Sequence, residues 1–140
     1  MLEFPQVKGS VFLQEGLIHR TSTGLAVRSK SEVAIADALA HGDISFEYEK
    51  ALVLGGSTRY PDFTIEDEIS GKTFYWEHLG LLHRDDYRIS WQKKLSWYRT
   101  NGVTPLEEGG GPNGALIVSR DKDDGGLDMQ EINSLIRDLR

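Results

Sequence analysis

Cysteine is absent from this sequence, which excludes disulfide staples and thiolate metal centres and fits a cytoplasmic protein. No run approaches the ~18 consecutive apolar residues that a membrane-crossing helix needs, so no membrane span is expected. The N-terminus lacks the basic-then-apolar order of a secretory signal. Positive charge is also scarce. Sixteen Lys and Arg face 22 Asp and Glu, for a formal net charge of -6, which argues against gripping a polyanion by bulk electrostatics alone. What the chain does have is 140 residues with 39% hydrophobic content, enough for one soluble domain with a sizeable core.

Residues 1–26 mix short apolar pieces (Val11 to Leu13, Leu17, Ile18) with turn formers, and read as an irregular or hairpin-like lead-in. Residues 27–140 read as a single domain. The spacing predicts a helix over Ser29 to His41, with Glu32, Ile35, Ala36 and Leu39 on one face and Gly42 as its stop. A strand is expected from Ile44 to Leu54, ended by Gly55-Gly56-Ser57, and a second from Arg59 to Ile65 with Pro61 near its beginning.

After the polar turn EDEISGK, a third strand from Thr73 to Leu81 is apolar on both faces and is expected to be central. A second helix is expected from about Asp86 to Thr100, a loop over residues 107–114, and a buried strand over Ala115 to Ser119. The segment RDKDDGG reads as a solvated turn. Asp128 should cap a last helix with Ile132, Leu135, Ile136 and Leu139 on one face. This order predicts an α/β three-layer sandwich around a central mixed sheet of about four strands.

Three acidic positions stand out because the pattern points each inward: Glu32, Asp62 and Glu77. An uncompensated carboxylate out of water costs several kcal/mol, so three aimed at one interior call for a cation or for hydrogen-bond donors. Each also has an ordinary reading. Ser29-Lys30-Ser31-Glu32 matches a capping box, and an Asp after a Pro is commonly a turn residue. Glu77 sits in FYWEHLGLL, where a solvated charge fits poorly. Lys94 falls on the apolar stripe of the second helix, about 100 degrees from Lys93; its stem could equally pack while its ammonium snorkels. His78 alternates away from Glu77, and His19, His41 and His83 have no spacing that suggests a site.

VRSKSE opening a helix, FEYEKAL, PDFTI, YWEHLGLL, YRISWQKKLSWYRTNGV and LIVSRDKDDGGLDMQEI follow in order across roughly residues 18 to 140. Together they resemble the PD-(D/E)XK nuclease superfamily, most closely the subgroup found alone or appended to DNA helicases and other ATPases. The resemblance implies a restriction-endonuclease-like core and Mg²⁺-dependent hydrolysis of DNA phosphodiester bonds, with Mn²⁺ able to substitute. It makes Asp62 and Glu77 direct metal ligands, adds the His78 peptide carbonyl, and has Glu32 complete the cluster directly or through water.

Where the family name calls for Lys, this chain has Leu79. Lys94, migrated to the following helix, would replace it. Arg20, Arg28, Lys30, Arg59, Lys93 and Arg99 would form a basic rim for phosphates, which carries little sequence specificity. The implied partners are DNA and a helicase, ATPase or larger DNA-binding subunit. A degenerate nuclease fold that binds nucleic acid or protein without cutting is the competing expectation.

Overall fold

The described chain begins with a hairpin in which β1 (His19–Arg20) pairs antiparallel with β2 (Ala26–Val27). This computed structural model describes residues 16–139. The hairpin-like lead-in is therefore present from His19 onward, while Val11 to Leu13 lie outside the described residues. The expected first helix is α1 (Lys30–His41). The Ser29 side chain accepts the Glu32 N–H at 3.1 Å at its start, and Gly42 ends it. Ile35, Ala36 and Leu39 are buried, as their shared stripe requires.

The two strands expected next are in fact four. The first divides into β3 (Glu47–Tyr48) and β4 (Leu52–Leu54), because Glu49 holds a φ of 52°, a left-handed backbone that a strand cannot contain. The second divides into β5 (Ser57–Arg59) and β6 (Phe63–Glu66). Pro61 separates this pair instead of opening a strand, since it has no N–H for a ladder and a fixed φ. β4 and β5 pair with each other through Gly55 and Gly56, whose φ values of 59° and 80° suit a two-residue hairpin.

The remaining elements are β7 (Thr73–Leu79), α2 (Asp85–Thr100), β8 (Val103–Pro105), a 3₁₀ turn at Leu106–Glu108, β9 (Gly114–Arg120) and α3 (Met129–Arg137), capped by Asp128. The main sheet has the order β3-β6-β7-β9-β8. β3–β6 and β6–β7 are antiparallel, and β7–β9 and β8–β9 are parallel. The sheet is mixed, as expected, but has five strands. The extra one, β8, is too short for alternation to reveal, and its Pro105 is tolerated because β8 lies at an edge.

Strand alternation divides the interior in two. Phe63, Ile65, Phe74, Trp76, Ala115 and Ile117 pack with Ile35, Ala36 and Leu39 of α1 and Ile132 and Ile136 of α3. Tyr75, Val103 and Leu116 pack with Tyr98 of α2 on the opposite face. β7 is thus central and covered on both sides. Among the described residues, no helix is long and apolar enough to cross a membrane.

Two glycines of positive φ make predictions of different size. A Cβ on Gly114 (φ 142°) would lie 2.6 Å from the Tyr75 ring, whereas one on Gly125 (φ 87°) would meet nothing within 4 Å. In urea unfolding, Gly114→Ala should lose about 2–3 kcal/mol, adding a clash to backbone strain. Gly125→Ala should lose about 1 kcal/mol from strain alone. Equal losses would mean that the close approach at Tyr75 does not matter.

Candidate active site

Asp62 and Glu77 come from neighbouring strands. The β6–β7 register pairs Phe63 with Trp76, so one step further along the same register sets Asp62 across from Glu77. Residues so opposed have Cβ atoms ~5 Å apart. They are 6% and 4% exposed, so both charges must be met inside the protein.

Each is met by identifiable donors. Asp62 Oδ2 accepts the His78 backbone N–H at 2.7 Å. Glu77 Oε2 forms an ion pair with Lys94 Nζ at 2.6 Å and accepts the Tyr98 hydroxyl at 2.5 Å. Lys94 Nζ also donates to the Tyr60 carbonyl at 3.2 Å. Lys94 and Tyr98 are four residues apart on α2, one turn along a single face, so both can converge on one carboxylate. Burial, followed by the negative charge of Glu77 and then of Asp62, pushes the Tyr98 hydroxyl far above its ordinary pKa. It therefore stays a proton donor to Glu77 over the whole accessible pH range.

Glu32 belongs to a separate set of contacts. Its Oε1 accepts from the Arg28 backbone N–H at 3.1 Å, from the Tyr48 hydroxyl at 3.0 Å and from the Ser29 hydroxyl at 3.3 Å. The Glu32 N–H to Ser29 Oγ bond is the cap read from SKSE, while the Glu32 carboxylate reaches back to the amide of Arg28, one residue before the cap. Yet Glu32 is also 7% exposed, so both sequence readings describe it. Burial and the charges of Glu32 and Glu49 push the Tyr48 hydroxyl well above its usual range.

Arg28 is held by Glu49, Nε to Oε2 at 2.8 Å and Nη2 to Oε1 at 3.2 Å, and that hydrogen bond raises the guanidinium pKa further. Among the described residues no three His, Asp or Glu side chains gather into a group able to hold a metal. Folding brings Asp62, Glu77 and Lys94 together, and it ties Glu32 to Tyr48 and Arg28.

The donor set that remains suits one kind of ion. Two adjacent carboxylates, without sulfur or a convergent imidazole, are the donor chemistry that Mg²⁺ or Mn²⁺ takes, commonly one or two protein carboxylates with the shell completed by water and substrate. The expected basic rim is dispersed. Arg20 Nη1 donates to the Gly24 carbonyl, Arg99 is paired with Glu108, and the Arg59 guanidinium lies 5.2 Å from the Trp97 ring centre. Lys30 is exposed on the first turn of α1. Lys93 lies with Ile89 and Gln92 in a shallow groove on the outer face of α2, about 100 degrees around the helix from Lys94.

The sequence reading passed over Tyr98 as a site residue, although it shares the stripe of Lys94 that was used to choose between Lys93 and Lys94. It also assigned RDKDDGG wholly to solvent, whereas Asp121 accepts from His78 and Ser31. No family profile, curated protein or solved structure matches this chain.

Removing one partner of the buried pair should cost far more than removing both. Lys94→Met should destabilise by about 3 kcal/mol, since it strands a buried carboxylate. Tyr98→Phe should cost about 1–3 kcal/mol through the lost bond to a charged group. The Glu77→Leu, Lys94→Met double variant should regain most of the first loss. Denaturant midpoints of these three variants, of Glu77→Leu alone and of the wild type measure this, and additive losses of the Glu77→Leu and Lys94→Met singles would refute an energetically coupled pair.

Proposed function

We propose that this chain is a metal-dependent deoxyribonuclease with a PD-(D/E)XK-like core, hydrolysing phosphodiester bonds with little sequence specificity. The observation that carries this reading is the meeting of Asp62 and Glu77 with the Lys94 ammonium, 2.6 Å from Glu77. The position two residues after Glu77 is Leu79, 4% exposed. A lysine reaching the strand acid from α2 supplies the charge that the strand itself lacks. The element order, with a helix, antiparallel strands, a helix and then a parallel strand, supports the same reading.

Asp62 and Glu77 would hold Mg²⁺, with the His78 peptide carbonyl as a further ligand and Glu32 reaching it through water. When bound, the ion supplies positive charge against the scissile phosphate and lowers the pKa of water. The protein's part is positioning. The His78 N–H fixes Asp62, and Tyr98 and Lys94 fix Glu77 from one helix face. An ammonium has three donors. With one on Glu77 and one on the Tyr60 carbonyl, the third is the donor for the attacking water or for negative charge developing on the phosphate.

Arg20, Lys30 and Arg59 would contact backbone phosphates, which accounts for weak sequence preference. Arg28 and Arg99 spend much of their charge on Glu49 and Glu108. A domain of net charge -6 would therefore act beside a helicase, ATPase or larger DNA-binding subunit that supplies affinity. The competing reading, a non-cleaving binding module, is favoured by Leu79 at the position of the family's lysine and by the net charge of -6.

Cleavage of linear, circular and single-stranded DNA in Mg²⁺, Mn²⁺ or chelator separates the two. Asp62→Ala and Glu77→Ala should lower the rate at least 10²-fold, as should Lys94→Ala, and chelator should abolish it. Full metal-dependent cleavage by Asp62→Ala would refute the site. Salt-sensitive DNA binding without cleavage, unchanged by Lys94→Ala, would favour the binding module.

A further inference from the structure

His78 has its side chain on the face of the sheet opposite Glu77, and its imidazole is not idle there. Nδ1 lies 2.8 Å from Ser119 Oγ and Nε2 lies 2.7 Å from Asp121 Oδ1. The chain continues in both directions: Trp76 Nε1–H donates to Ser119 Oγ at 2.9 Å, and the Ser31 hydroxyl donates to Asp121 Oδ1 at 2.7 Å. Ser119 is 1% exposed and the His78 side chain 4%, so these groups must satisfy one another. Ser119 Oγ, already accepting the indole N–H, passes its own hydrogen to Nδ1, and Nε2–H donates to Asp121.

The same residue's backbone N–H is the donor to Asp62 Oδ2. The ring and the N–H hang from one Cα, joined through χ1 and χ2 on one side and φ on the other. A ring clamped at both nitrogens limits rotation of the Glu77–His78 peptide, and with it the direction of the bond that orients Asp62. Hydrogen-bond partners behind a metal ligand orient it and tune its affinity, and the His78 N–H is such a partner of Asp62. We infer that His78 is a positioning residue, held by Ser119 and Asp121, which fixes the Asp62 carboxylate through its own backbone N–H. Ser31 extends the clamp to the first turn of α1, next to Glu32. The inference rests on the nuclease reading only for the use to which Asp62 is put.

Amide hydrogen exchange, followed by NMR on the metal-free full chain, reads the residue 78 N–H directly. His78→Phe keeps a ring and removes both ring hydrogen bonds. His78→Gln retains a donor that can reach Asp121. Exchange at amide 78 should be at least tenfold faster in His78→Phe, with the Ile35 and Phe74 amides unchanged, and His78→Gln should recover most of the protection. Mn²⁺ titration should show about 10- to 100-fold weaker binding to His78→Phe.

Unchanged exchange at amide 78 would overturn the inference. So would equal acceleration at Ile35 and Phe74, since that would make the clamp a contributor to general stability alone. If His78→Phe does not fold, Asp121→Ala, which removes the acceptor of Nε2–H, decides in the same way: faster exchange confined to amide 78 supports the clamp, and wild-type exchange removes it. Exchange as expected in a protein that neither binds Mn²⁺ nor cuts DNA would leave the clamp standing and sink the nuclease reading instead.

Discussion

The arrangement depends on one buried charge. Glu77 sits in the middle of the sheet, between apolar neighbours, and its carboxylate would cost several kcal/mol if left unanswered. Lys94 and Tyr98 answer it together from one face of α2. Satisfying both bonds fixes the rotation of α2 about its axis and its height along β7. The packing of Tyr98 with Tyr75, Val103 and Leu116 follows from that placement. Tyr98 is the one buried residue of α2, with Trp91, Leu95 and Trp97 partly buried against the same cluster, so the charged contact and the second core are one interface.

Asp62 occupies the place where the β6–β7 ladder stops. Pro61 offers no N–H, and the Asp62 carboxylate instead takes the His78 N–H. On the other side, the Glu49 N–H bonds to the Asp62 carbonyl at 3.0 Å, just where Glu49 leaves the strand at positive φ. Backbone held in that region costs of order 1–3 kcal/mol and persists where surroundings over-determine it. The Arg28–Glu49 pair is such a surrounding. Two irregular points, Glu49 and Pro61, thus free the strand ends on which a hydrolytic centre would be assembled.

The scarcity of positive charge is felt throughout. Arg28, Lys94 and Arg99 each neutralise an acid of the same fold.

Local patterns were enough to read the helices, their caps and the apolar faces of the third strand, because periodicity and capping act over a few residues. The same patterns singled out Asp62, Glu77 and Lys94, and they held both the capping and the inward readings of Glu32. They did not show that Glu49 and Pro61 would each split a strand, that Val103–Pro105 would add an edge, or that Tyr98 would share Glu77 with Lys94. Nor did they show Asp121 reaching back to His78. Sequence by itself determined which side chains face inward. Which of those faces meet was decided by tertiary structure, because contacts between residues sixteen to ninety positions apart depend on how the elements dock and leave no local period to read.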